Sequence, residues 1–376
     1  MMQRENKRMD RKRTTYRNLI ILFFSLLLLF VLINWFVWKN YTEALLSSKY
    51  EGGDLARLAY LNEFRQARQT KNTLSRRFVQ FDRADTSPVD MITIGDSFSM
   101  GRGGGLNTYY QDYIASYNNF KVLALPTYNT DDLVAYSSPL SSIMVLYNSG
   151  FLDIYKPKYI LLQSVERYTV ERMSKPIEKI LYHNDKIDNV LHYFSAVEVK
   201  PDTPPHLPFV NMGNAKFVFS ELMYMLTGKV NRRVRLFKLD RPLFSVLDGK
   251  QLLVFPDEIE NTAGITKEQL VLMNRNLNYV ARLLKEKGIR LYFMPVVNKY
   301  NLYYDHIVER ERKILPRSIF FEELSKLPKE YGYIDTKAIL SVEIQKGVYD
   351  IFYPDDTHWS WKASEAIFSN TKFVKQ

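Results

Sequence analysis

Apolar positions run together near the start of the chain and alternate with polar ones over the rest. Leu19 to Trp38 is a 20-residue apolar run interrupted only by Ser25 and Asn34. That is the length a helix needs to cross the ~30 Å hydrocarbon core of a bilayer. From Tyr41 to about Ala84 the pattern becomes polar and helix-compatible, with Leu55, Leu58, Ala59, Leu61 and Phe64 as its apolar points. It reads as a stalk, a helix lying against the next domain, or a solvated connector. Asp82–Pro88 then reads as a linker. Short β-prone runs follow at Met91–Ile94, Phe120–Leu125, Tyr159–Leu162, Ile289–Met294 and Tyr333–Asp335. Helical patterns lie between them: one carries Leu140, Ile143, Leu146 and Tyr147, another Leu270, Met273, Leu277, Val280 and Leu284, and a third spans about 316–330. Thr266-Lys267-Glu268-Gln269 offers a capping box for the second, and Ser364–Phe368 would begin a closing helix. Short strands alternating with helices predict parallel βαβ units.

Residues from about 170 to 262 break that rhythm, with Pro-rich 200–206, a helical piece near Phe217–Leu226 and a basic stretch Lys229–Lys238. Asp248-Gly249 between Leu243–Leu247 and Gln251–Phe255 signals a hairpin. The expected organisation is a basic tail (1–17), a transmembrane anchor (18–38), a stalk or linker (39–88) and an α/β domain (89–376) carrying the 170–262 stretch as an insertion.

Charge sharpens the picture only after it is divided. The 376 residues carry a net +11, of which residues 1–17 supply +5 (seven Lys and Arg against Glu5 and Asp10). The remaining +6 is an ordinary excess, so no nucleic-acid partner is expected, and an anionic glycan is compatible with it. A basic flank before an apolar run puts the N-terminus in the cytoplasm and the domain after Lys39 outside. A cleavable signal peptide competes, but no small-x-small site follows and the run exceeds a usual signal core; a buried core helix is the other alternative. The chain has no cysteine, which excludes disulfides, thiolate catalysis and cysteine-ligated zinc.

Candidate chemistry lies in two segments. Gly95-Asp96-Ser97-Phe98-Ser99 follows the first strand, where a sharp turn into a helix would expose the Ser97 hydroxyl beside backbone N–H groups. A serine nucleophile needs a base and a group to orient it, and Asp355-Asp356-Thr357-His358-Trp359-Ser360 supplies both. Of five histidines, His183, His192, His206 and His306 lie in surface-like or inserted segments. Ligands of parallel sheets bind beyond the carboxyl ends of the strands, where Ser97, Thr127–Asn129 and Glu166-Arg167 all fall. The Gly101–Gly105 cluster lacks the Gly-Lys-Ser/Thr ending of a phosphate loop. No acidic or histidine cluster has metal-ligand spacing, so neither cofactor nor metal is expected.

The two motifs together resemble the SGNH (GDSL-type) hydrolase superfamily, and most of all the alginate O-acetyltransferase SGNH-like group, whose late motif reads Asp-x-His-Trp. Tyr333-Ile334-Asp335 and Lys299-Tyr300 fit that group too. The resemblance covers roughly 89–170 and 266–370. It implies a three-layer α/β domain around a parallel sheet, with Ser97 as nucleophile, His358 as general base and Asp356, or Asp355 on the wider Asp-x-x-His pattern, as the orienting acid. The superfamily's glycine after the second strand and Gly-x-Asn after the third are not evident. Thr127, Tyr128 and Asn129 occupy the first place, and Gln163, Glu166 and Arg167 the second. Asn129 is then a candidate oxyanion donor or a turn residue. Arg167 is a candidate substrate ligand or a brace for Glu166, and the two equally make a structural ion pair. The implied activity is O-acetylation of an exported polysaccharide through an acyl-serine, with a multi-span membrane acyltransferase as acyl donor. An esterase using water and a silent scaffold of an export complex are the alternatives.

Overall fold

The computed structural model describes residues 2–46, 53–69, 74–128, 138–177, 185–196 and 208–374. Residues 51–59, 63–201 and 231–376 form one compact unit; residues 1–50, 60–62 and 202–230 form another.

The larger unit is built on strands β1 (Met91–Gly95), β2 (Val122–Pro126), β3 (Tyr159–Val165), β6 (Arg290–Val296) and β7 (Gly332–Tyr333). They form one parallel sheet in the order β2-β1-β3-β6-β7. Every residue of β1 and β3 is buried, as expected where both faces of a parallel sheet are covered. Tyr110–Asn118, Thr336–Gln345 and Trp361–Asn370 form one group of flanking helices. Pro139–Asn148, Glu166–Met173, Lys267–Glu286 and Phe320–Lys326 form the other. The order of strands reverses between β1 and β3, the place where such sheets open a crevice at their carboxyl edge.

The capping box forms as expected: Thr266 Oγ1 accepts the Gln269 N–H and Gln269 Oε1 accepts the Thr266 N–H. Three local expectations differ. The hairpin joins β4 (Arg235–Lys238) to β5 (Gln251–Val254), so its first strand lies upstream of Leu243–Leu247. Those residues turn instead, with Leu247 at φ 51° and Leu243 and Phe244 both donating to the Gly249 carbonyl. The helix expected over 316–330 is confined to Phe320–Lys326, between Pro316 and Pro328, which resist helical continuation. Residues 53–69 hold only one short helix, Asp54–Ala59, and are otherwise irregular.

In the smaller unit a helix runs from Met2 to Val37 and continues as a π-turn, Trp38–Thr42. It is long and apolar enough to cross a membrane, with a mean hydropathy of 2.8 in its most apolar window. Met212–Thr227, within the stretch read as an insertion on the sheet, packs on this helix. Asn214 Nδ2 donates to Asn34 Oδ1 at 3.1 Å, and Phe217 stacks on Tyr41 with centroids 4.9 Å apart.

Candidate active site

β1 ends where only glycine fits. A Cβ on Gly95 would fall 2.0 Å from Ser99 Oγ and 2.2 Å from Gln163 Oε1, which no side-chain adjustment absorbs. The turn after it is pinned by Asp96, whose carboxylate accepts from Gln163 Nε2 (2.8 Å), the Val165 N–H (2.8 Å) and Arg172 Nη1 (2.9 Å). Ser99 and Met100 N–H groups close one turn onto the Asp96 carbonyl. A helix does not follow at once. The glycine-rich loop intervenes, with positive φ at Gly101, Gly104 and Gly105, and the helix starts at Tyr110. At Gly103 a Cβ would lie 3.3 Å from His358 Cβ and 3.1 Å from the Trp359 carbonyl. The glycines therefore let this loop lie against the histidine, a role their rejection as a phosphate site leaves open.

Ser97 and His358 meet. Ser97 Oγ is 2.8 Å from His358 Nε2, and His358 Nδ1 is 2.6 Å from Asp356 Oδ1. A carboxylate only accepts, so Nδ1 carries the hydrogen and Nε2 is left to take the serine proton. Burial pulls the imidazole pKa down, but the Asp356 carboxylate outweighs it and the net shift is upward. Burial opposes the Asp356 charge, yet His358 and Arg68 hold this carboxyl below the usual range. Phe98 packs on the imidazole at 4.7 Å. The Ser97 N–H makes no hydrogen bond among the described residues, which leaves it available to an oxyanion.

The two acids take different tasks. Asp356 faces His358, whereas Asp355 binds the segment before the domain: its carboxylate accepts from the Gln66 N–H (3.1 Å) and Arg68 Nη1 (3.0 Å), and its carbonyl from Leu55 and Ala56. Residues 53–59 and 63–69, read from sequence as a stalk, a helix lying against the domain or a connector, thus strap the loop that carries the site. Asp356 Oδ2 accepts from the Gly53 N–H, the Asp54 N–H and Arg68 Nη2. Arg68 also donates to the Gly103 carbonyl at 2.7 Å and lies over the Tyr353 ring. Asp54 Oδ1 accepts the Thr357 N–H at 2.7 Å, and Asp54 Oδ2 stands 3.9 Å from His358 Nδ1. Burial and the Asp356 charge push Asp54 up to about 6. From the other side buried Lys299 donates to the carbonyls of Tyr353 (2.8 Å), Pro354 (2.9 Å) and Asp356 (3.2 Å), and burial lowers its pKa to about 8. Nothing in the composition of 53–69 announces this. Lys299, three residues past the end of β6, is noted in the sequence only through Lys299-Tyr300 and the resemblance.

Asp54, Asp356 and His358 offer ligand atoms within 4.8 Å of one another. Their present arrangement is that of a hydrogen-bond network, since Nδ1–H is directed at Asp356 and a cation there would compete with that bond.

The remaining candidates separate. Glu166 is buried and occupied: Oε1 accepts from Asn301 Nδ2 and Ser318 Oγ, Oε2 from the Asn298 N–H. It ties the β3 and β6 ends together, and no ion pair joins it to Arg167 among the described residues. Arg167 has its Nε and Nη1 buried without a hydrogen-bond partner, as are Asn298 Nδ2 and Oδ1 and Glu258 Oε1. β3 and β6 pair up to Val165 and Val296, so Arg167 and Asn298 each lie two residues beyond the last pair. Glu258, from the helix Asp257–Ala263, accepts the Tyr300 N–H. The Arg167 charge acts on both Glu258 and His358. Asn298 and Glu258 went unflagged in the sequence. Asn129 lies outside the described residues. Compared with known proteins, the chain matches no family model and no curated protein.

Proposed function

We propose that the chain is a membrane-anchored O-acyltransferase of the SGNH type that acetylates hydroxyls of a polysaccharide on the outer side of a membrane. The observation that carries this reading is the hydrogen-bonded line from Ser97 through His358 to Asp356 at the carboxyl edge of a parallel sheet, where strand order reverses. His358 takes the serine proton as Ser97 Oγ attacks the acyl carbonyl, and the Ser97 N–H stabilises the oxyanion. The imidazolium protonates the leaving group. In the second half His358 removes a proton from an acceptor hydroxyl, which attacks the acyl-serine. The basic tail ahead of the apolar helix supports a cytoplasmic N-terminus. Acetyl donors of the cytoplasm then require a multi-span membrane acyltransferase to hand the acyl group across.

The full-length protein in detergent, given 4-nitrophenyl acetate, should gain about 42 Da on the Ser97 peptide, the mass of a covalent acetyl intermediate. Ser97→Ala should gain none. Passage of the acetyl group to an added neutral oligosaccharide supports transfer, and release only to water supports an esterase. No label on Ser97 removes both.

A further inference from the structure

The helix Met212–Thr227 is built inside out. Its buried residues are Gly213, Asn214, Phe217 and Ser220, mostly small or polar, and two of them, Asn214 and Phe217, meet the N-terminal helix. Its outward residues include Val218, Phe219, Leu222, Met225 and Leu226. Their spacing of one, three, three and one places them on one stripe of a 3.6-residue helix. Phe219 is 66%, Met225 77% and Leu226 80% exposed, as open as Leu26 (56%) and Leu29 (53%) of the long apolar helix. In a water-surrounded helix large apolar groups turn inward. Helices in lipid reverse this, with small and polar residues at the contact between helices and large apolar residues facing the acyl chains.

The occupant of the stripe follows from its neighbour. The helix meets the long apolar helix at Asn34 and Tyr41, the end of the apolar run where Trp35 and Trp38 stand, residues of a membrane interface. The Tyr41–Phe217 stack joins the two helices there, and the large residues of the stripe are as bare as those of the long apolar helix beside it. Sixteen residues span about 24 Å, short of the ~30 Å core, so the helix suits an interfacial position rather than a crossing. Lys216, off the stripe, and Lys229, just past the end of the helix, are exposed, a placement that suits anionic headgroups. We infer that Met212–Thr227 is a second membrane-contacting element, an interfacial helix that seats Val218, Phe219, Leu222, Met225 and Leu226 in the lipid bilayer beside the N-terminal span. It rests on the reading of Met2–Val37 as a span and is independent of the chemistry at Ser97.

The chain contains no cysteine, so each introduced one is a unique label site. Leu222→Cys and Leu226→Cys, with Leu29→Cys in the span and Ile314→Cys on the sheet-bearing unit as references, are spin-labelled in the full-length protein. The protein is reconstituted in phosphatidylcholine–phosphatidylglycerol vesicles. Accessibility to oxygen, which concentrates in lipid, is compared with accessibility to a water-soluble nickel chelate. The expected result is a severalfold higher oxygen-to-nickel ratio at 222 and 226 than at 314, approaching that at 29. A ratio like that at 314 overturns the inference, since the stripe then faces water. Exclusion of both reagents at 222 and 226 also overturns it, because another protein then covers the stripe. A water-like ratio at 29 overturns the span and the inference together, while lipid at 29 and water at 226 removes the inference alone. Phe219→Cys and Met225→Cys repeat the measurement should either first label perturb the fold.

Discussion

Two long helices of this chain obey opposite rules. Lys267–Glu286 buries Leu270, Met273, Leu277, Val280 and Leu284 and turns Arg275, Arg282, Lys285 and Glu286 outward. Met212–Thr227 buries one large apolar residue, Phe217, among Gly213, Asn214 and Ser220 and turns Phe219, Leu222, Met225 and Leu226 outward. Both are regular and both are capped, by Thr266 and by Asn211, so propensity and capping do not separate them. What separates them is the solvent each was selected against. The difference teaches that in this chain a helix's neighbours must be known before its apolar face can be interpreted as core.

The most severe way to break the comparison is to put a charge where the water-built helix hides its apolar face. Leu277 is fully buried, and Leu277→Asp would strand an unpaired carboxylate there. A loss of about 4 kcal/mol or more is expected, read as disappearance of the cooperative melt of the sheet-bearing unit together with Ser97 acylation. A wild-type melt would show that burial in this helix does not carry the fold.

The next effect falls on buried charge that the same unit keeps because it is partnered. Arg68, Asp355 and Asp356 are almost entirely inaccessible, and the guanidinium reaches both carboxylates. Arg68→Ala would leave two buried carboxylates short of a cation, at a cost of about 3–5 kcal/mol. Acyl-serine formation should slow as the Asp356–His358 geometry loosens. Arg68→Lys should restore part of the stability and less of the rate, because an ammonium cannot also reproduce the fork that reaches Gly103. An unchanged rate in Arg68→Ala would reduce the strap to a tether.

The strap also marks where the sequence stops being readable. Ser97, His358 and the strand-helix alternation were legible because each rests on a local pattern: an apolar strand into Gly-Asp-Ser, an Asp-Thr-His-Trp loop, a capping box. Arg68 and Asp54 were not, because their partners lie 287 and 303 residues away and are chosen by tertiary approach, on which spacing is silent. Between Asp355 and Asp356 the Trp359 that follows favours Asp356 and leaves the choice open; in the fold Asp356 meets His358 Nδ1 while Asp355 is taken up by the backbone at 55, 56 and 66. The hairpin was located by its Asp248-Gly249 turn but assigned the wrong first strand, since Leu243 and Phe244 are buried without being in a strand. The helical piece at 217–226 was visible by its period, while the direction of its apolar face was not.

A smaller effect concerns protonation. Ser97 needs neutral His358, so acylation should fall as pH drops through the imidazole pKa, which lies above its ordinary value because Asp356 and Asp54 favour the charged ring. Asp54→Asn removes one of those negative charges and keeps an oxygen for the Thr357 N–H. With less to stabilise the imidazolium, the proton leaves at lower pH, and the acid limb of the acylation profile should move down by roughly half a unit. The contribution of Asp54 fades below about 6, where its own carboxyl takes a proton. A limb that moves up, or stays, would place Asp54 outside the electrostatics of the base.

The smallest effect sharpens the comparison by being small. Leu226 is 80% exposed, so in detergent Leu226→Asp replaces one solvated side chain by another and should change the melt by no more than about 0.5 kcal/mol. The same chemical change, leucine to aspartate on a long helix, is then expected to abolish folding at 277 and leave it intact at 226. Its consequence should surface only in a bilayer, where the carboxylate must stay hydrated: the label at Leu222→Cys should shift toward water when Leu226→Asp is added. A large loss of stability in detergent would mean that Leu226 is packed against protein after all, and the two helices would no longer be opposites.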